Sequence, residues 1–236
     1  MLEIKNIIKG LEQFQRFGAR EVYEDLVDFM FALCCAECKV VNMAENGEDI
    51  FNRIKEKYGD KDLLKLGAIA GEAIQLMLKT QMDVLGSIYM QTAPKRGLGQ
   101  VFTPDNICDA MVQLCEDEAA KTEKENTSYC DPCCGSGAMM LAKIRNTPLE
   151  KLLYVDFYLN DLDILCTKQA AIQMAVQGVS AVITNGNTLL KDTFAPDYDG
   201  IRIYTKTYRM KHGMLSLEET MSLMSSLMKI YGKVEG

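Results

Sequence analysis

The residues best suited to chemistry lie in the segment Tyr129-Cys130-Asp131-Pro132-Cys133-Cys134-Gly135-Ser136-Gly137. Glycines at 135 and 137 permit positive φ, and they let a ligand approach the backbone N–H groups that open a helix. A dinucleotide fold asks for G-x-G-x-x-G at such a turn, but here Met140 stands where the third glycine belongs. A carboxylate closing the preceding strand is a poor neighbour for pyrophosphate and a good one for an ammonium group. A second acid, Asp161, lies at the end of the next apolar run, where a carboxylate can accept hydrogen bonds from both hydroxyls of a ribose. Together these describe a nucleoside with an amino-acid-like tail, and S-adenosylmethionine fits both ends. A purely structural tight turn is the competing reading of the same residues.

Other chemistries fit poorly. His212 is the single histidine, which argues against triad hydrolases and histidine-based metal centres. Cys35-x-x-Cys38 and Cys130-x-x-Cys133 have the pair spacing of a four-cysteine zinc site. The first pair, however, falls in a periodic helical stretch and the second overlaps the glycine turn, so buried thiols and no metal are expected. The net charge of −7 opposes a broad basic face for nucleic acid, though Lys206, Arg209, Lys211 and His212 form a local strip. Nine cysteines, a start (MLEIKNIIKG) without a signal-peptide core, and no apolar run near the ~20 residues of a membrane span point to a cytoplasmic protein with reduced thiols.

These groups need a scaffold. Over 20–41, Val22, Leu26, Phe29, Met30 and Leu33 form one helical stripe; Leu63, Leu66, Ile69, Ile74, Met77 and Leu78 repeat it over 62–80. Turn residues interrupt at 42–49 and 58–62, so residues 1–91 read as an all-helical region. A Pro/Gly loop follows at 92–99, and 116–128 is polar. Strands are expected at 127–131, 152–159 and 179–184, with a fourth at 201–205, and helices at 136–146 and 162–177. Strand–helix alternation of this kind implies a parallel sheet with crossover helices. Leu217, Met221, Met224, Leu227 and Met228 place a C-terminal amphipathic helix within 213–236. The expected division is thus 1–91, 92–212 and 213–236.

Three motifs in order carry a resemblance. Gly99-Gln100-Val101-Phe102-Thr103-Pro104 resembles the G-Q-[FV]-[FY]-T-P element of the adenine-N6 DNA methyltransferases, in the form found in type I restriction–modification modification subunits. Asp131 to Gly137 resembles that family's D-P-x-C-G-S-G loop, and Asn185-Gly186-Asn187-Thr188-Leu189 resembles its G-D-[ST]-L element. Asp83 to Tyr89 is similar to the helix joining helical and catalytic regions there, and Gln173 to Gly178 to a helix end. The resemblance implies an α/β fold: a helical N-terminal region, then a truncated Rossmann-like, S-adenosylmethionine-dependent methyltransferase sheet. It implies that Phe102, Thr103, Pro104, Asp131, Pro132, Cys133, Gly135, Ser136 and Gly137 line the methionine end of the cofactor. By the same resemblance Asp161 takes the ribose, and Asn187 and Leu189 lie at the adenine. Asn187 departs from the usual Asp, yet an amide still offers a donor and an acceptor to the adenine edge.

One departure bears on catalysis. The family holds a flipped adenine with N-P-P-[FY] after its fourth strand, and no N-P-P occurs in this chain. The nearest segment, Ile203-Tyr204-Thr205-Lys206-Thr207-Tyr208, keeps only an aromatic, so the catalytic residues are unknown, with Tyr208 the candidate. Two functions therefore stand: a DNA adenine-N6 methyltransferase of a restriction–modification type system, or a catalytically inactive accessory or regulatory subunit of the same descent. DNA would be met within a complex, with a specificity or modification subunit as partner and no membrane.

Overall fold

The computed structural model describes residues 2–92, 102–119, 127–216, 218–219 and 221. The elements in chain order are α1 (Leu2–Glu12), α2 (Ala19–Cys34), β1 (Lys39–Val41), α3 (Gly47–Thr80), α4 (Val84–Thr92), α5 (Asp105–Ala119), β2 (Thr127–Asp131), α6 (Ala138–Arg145), α7 (Leu149–Leu152), β3 (Val155–Asp161), α8 (Ile164–Val176), β4 (Ala181–Asn185), β5 (Ile201–Tyr204) and α9 (Lys206–Lys211). Asn46 opens α3, its side chain accepting from Asp49 N at 3.0 Å, with Glu48 and Asp49 complementing the positive helix end. The turn expected at 58–62 falls at Gly59, whose non-helical backbone (φ 67°, ψ 169°) divides α3 into two helical stretches.

The sheet order is β1-β5-β4-β3-β2. Strands β2, β3 and β4 run parallel, joined by helical crossovers, as the strand–helix alternation requires. Two expectations are corrected. Residues 1–91 are not all helical: Lys39–Val41 pairs antiparallel with β5, three residues being too short for any periodicity to reveal. The fourth sheet strand of the C-terminal part, β5, runs antiparallel to β4, because the 186–200 connection contains no helix and so returns the chain as a long hairpin. The loop expected at 92–99 (from residue 93) and most of the C-terminal helix lie outside the described residues.

One sheet face is apolar. Tyr129, Phe157, Leu159, Ile183 and Ile203 share it by register and pack under α6 and α8. Tyr23, Leu26 and Phe31 of α2 and Ile50, Ile54 and Leu66 of α3 belong to the same buried cluster, so helices and sheet have one core. Helix α8 is buried nearly all round, between the sheet and α2, and Lys168 on it pairs with Asp28 at 2.6 Å. The opposite sheet face is polar and aromatic, with Asp156, Tyr158 and Asn160 of β3 projecting there.

Candidate functional site

The carboxyl ends of β2, β3 and β4 form a ledge. Asp131 ends β2 opposite Leu159, while Asp161, which ends β3, is paired with Asn185, which ends β4. Between β2 and α6 the chain turns through Gly135 (φ 55°) and Gly137 (φ 96°), a left-handed conformation that a side chain would strain. A Cβ at Gly135 would also meet the Phe102 ring at 3.1 Å, so the backbone there is bare where Phe102 covers it. Phe102 in turn packs on Tyr89 of α4, centroids 5.1 Å apart.

Asp161 fixes the turn. Its Oδ2 accepts from Gly135 N at 2.8 Å and its Oδ1 from Asp163 N at 2.9 Å. A carboxylate has about four lone-pair sites, so two remain for ribose hydroxyls. Asp131 is half-buried and accepts from Cys133 N at 3.1 Å. Burial, and then the charge of Asp161, raise its carboxyl above the ordinary aspartate value, partly offset by that N–H. An ammonium group beside Asp131 would favour its carboxylate form. Asn187 Oδ1 accepts from Leu189 N at 3.0 Å, leaving its amide N–H₂ to face a base. Leu162 and Leu189 stand 71% and 93% exposed beside Asp161 and Asn187, apolar surface that an adenine would cover. Bare glycine backbone, two acids and these leucines suit an aminoacyl nucleoside.

Gly135 thus lies beside the Phe102 ring and is bonded to the Asp161 carboxylate, while Gly186, the residue before Asn187, donates its N–H to Asp161 O at 3.1 Å. Thr103 and Pro104 lie exposed at the start of α5. Tyr208 is not brought to the glycine turn. It lies on the polar sheet face, its ring against Tyr204, Tyr158 and, at 4.1 Å, His212. Of the basic strip, Lys211 and His212 pair with Asp156 at 3.0 Å each and Arg209 with Glu219. Cys133 is exposed at the loop, while Cys38 is buried with its Sγ 3.3 Å from that of Cys34.

The N-6 DNA methylase family model matches residues 80–207, more than half of the chain. The chain belongs to the N-6 DNA methylase family. Among solved structures it is similar to a Listeria monocytogenes protein assigned to the class I S-adenosylmethionine-dependent methyltransferases, with a TM-score of 0.50 at 16% identity over 82% of this chain and 55% of that one. It is also similar to the methyltransferase subunit of a type I restriction–modification system from Streptococcus thermophilus, with a TM-score of 0.45 at 14% identity over 83% of this chain and 59% of that one. The family member described here therefore spans under three-fifths of either protein's length. Comparison with curated proteins gives no match. The fold is the α/β, Rossmann-like methyltransferase fold.

Three residues that hold this family site together carry no role in the sequence reading. Asn160 is fully buried; its Nδ2 donates to Pro132 O (3.1 Å) and Gly186 O (2.8 Å), and its Oδ1 accepts from Thr184 (2.9 Å). It stitches the loops after β2 and β4 to β3. Asp83 and Gln173 meet behind the glycine turn. Asn160 was detectable as an amide ending an apolar run; Asp83 and Gln173 stand in segments that resemble the family, but only the fold brings them together.

Proposed function

We propose that the chain binds S-adenosylmethionine on the ledge formed by Asp131, the 135–137 turn, Asp161 and Asn187, as an adenine-N6 DNA methyltransferase-like protein of a restriction–modification type system. The observation that carries this reading is the hydrogen bond from Gly135 N to Asp161, close to Asp131, an arrangement that would leave one acid for a ribose and the other for an ammonium group. Phe102 would enclose the methionine end, with Thr103, Pro104, Pro132, Cys133, Gly137 and the backbone of Ser136 around it; the Ser136 side chain itself is buried behind the turn. When bound, the cofactor supplies an electrophilic methyl group. The chain's own residues would orient it, with Leu162 and Leu189 excluding water from the adenine. The protein would work in the cytoplasm, meeting DNA within a complex that includes a specificity or modification subunit. Among the described residues no helix is long and apolar enough to cross a membrane.

A second reading is an accessory subunit of the same descent that holds the cofactor without transferring methyl. It is favoured by the 203–208 segment, which lacks N-P-P and follows a strand antiparallel to β4, with Tyr208 away from the glycine turn. Calorimetric titration with S-adenosylmethionine, paired with radiolabelled methyl transfer to unmethylated DNA, separates the two. Binding with transfer supports the enzyme, and binding without transfer supports the accessory subunit. No binding overturns the cofactor reading.

A further inference from the structure

The glycine turn presents its backbone on the side of the proposed cofactor, and on its other side it rests on one carboxylate. Asp83 precedes α4 and is 4% exposed. Its Oδ2 accepts from Ser136 Oγ at 2.5 Å. Its Oδ1 accepts from Gly86 N at 2.8 Å and from Gln173 Nε2 at 3.0 Å. The same Gln173 amide donates to Ser136 O at 2.6 Å, and its Oε1 faces Leu85 N at 3.5 Å. Ser136, between the two left-handed glycines, is therefore gripped by its hydroxyl from the residue before α4 and by its carbonyl from α8. The fit is close: a Cβ on Gly86 would fall 2.0 Å from Asp83 Oδ2 and 2.5 Å from Ser136 Oγ, so no other residue leaves the clasp intact. The main chain extends the tie to α5, with Asp83 N donating to Asp105 Oδ1 at 3.2 Å. Arg145 of α6 approaches Asp105 at 3.4 Å and donates to Gln81 O at 2.5 Å.

We propose that Asp83, with Gln173, is a positioning residue of the cofactor site: it holds the 135–137 turn in its ligand-ready conformation from behind, without touching the ligand. A turn with two left-handed residues has other low-energy shapes when unrestrained, and a ligand that must first select one binds more weakly by the fraction populated. Asp83 removes that loss by satisfying three donors at one buried point. The inference rests on the cofactor reading for its binding readout, but the loop conformation can be read without any ligand.

The test uses the whole chain. Asp83→Ala leaves the Ser136 hydroxyl, Gly86 N and the Gln173 amide without their acceptor, and we expect S-adenosylmethionine affinity to fall about tenfold or more. Asp83→Asn is the conservative rescue: its Oδ1 serves Gly86 and Gln173, its Nδ2 donates to a reversed Ser136 hydroxyl, and affinity stays within about threefold of the parent. Leu66→Ala, a cavity in α3, controls for stability loss and should lower the melting temperature with affinity unchanged. In the ligand-free protein, amide hydrogen exchange at Gly135 to Ala138 should quicken in Asp83→Ala and not in Leu66→Ala. If the parent binds no cofactor, the functional reading fails while exchange still decides the clasp. Equal affinity and equal exchange in Asp83→Ala and parent overturn the proposal. So does an Asp83→Asn variant as impaired as Asp83→Ala.

Discussion

Asn160 offers the sharpest test of how the ledge is built. Its side chain is 1% exposed and makes three hydrogen bonds across three strands' ends. Asn160→Ala removes all three and leaves the Pro132 and Gly186 carbonyls and the Thr184 hydroxyl to find other partners. At a net ~1 kcal/mol per bond, the loss comes to about 3 kcal/mol, the upper range of orphaning being tempered because Pro132 is exposed to water. For a chain of this length that lowers the melting temperature by about 6–12 °C. Asn160→Asp is more discriminating, since it keeps the shape and the Thr184 bond but turns two donors into acceptors aimed at carbonyls. It should be at least as destabilising, and more so above the carboxyl's own titration. Thermal unfolding followed by circular dichroism, with urea denaturation for the free energy, measures both. An Asn160→Asp variant melting within about 2 °C of the parent would refute the assignment of Asn160 as the stitch between the β2 and β4 loops.

Two more expectations concern the ledge itself. Gly135→Ala imposes a left-handed alanine (φ 55°) and presses a methyl against Phe102 at 3.1 Å; we expect about 1–2 kcal/mol of lost stability and weaker S-adenosylmethionine binding by calorimetry, and unchanged binding would count against the turn as the ligand's cradle. Asp131 makes the pH dependence diagnostic. Its folded carboxyl titrates above 3.8, so its protonated form favours the fold and that contribution is lost as pH rises through the raised value, whereas an ammonium ligand needs the carboxylate. Affinity should therefore decline on acidification at a higher pH than an ordinary aspartate would give. Asp131→Asn should flatten that profile, weaken binding and, without ligand at neutral pH, raise the melting temperature. A parent profile as flat as that of Asp131→Asn would sink the ammonium assignment.

The sequence was most legible where local pattern and tertiary role coincide. The run ending at Asp161 and the glycine turn before α6 are strand and helix boundaries whose side-chain chemistry is already local, so Asp131, Gly135 and Asp161 could be placed before the fold was known. Strand β1 was not legible, because three residues of extended chain acquire their identity only from β5 beside them. Nor was the direction of β5, since a short alternating tetrapeptide such as Ile201–Tyr204 reads the same in either sense. Only the helix-free connection from β4 decides it. Asp83 and Gln173 lie 90 residues apart, and nothing local to either announces that both will meet at Ser136.

These long-range ties bear on where the site begins. The division expected at 91/92 follows the change from helical text to loop, and it separates the glycine turn from the carboxylate that holds it. The family match begins at residue 80, in the last turn of α3, three residues before Asp83. Physically, that is where the chain stops being scaffold and enters the site. Tyr23 Oη donates to Leu85 O at 2.9 Å, and Gln177, just after α8, donates to Met77 O at 3.0 Å, so α2 and the end of α8 brace the chain on both sides of Asp83. β1 extends the sheet from the same helical region, and Asn42 just after it donates to the Asp199 and Gly200 carbonyls that lead into β5. The helical N-terminal region is thus the back wall of the ledge. The proposed methyl-donor site, confined to 102–189 in the sequence, leans on residues outside that span, on elements that carry no recognisable chemistry of their own.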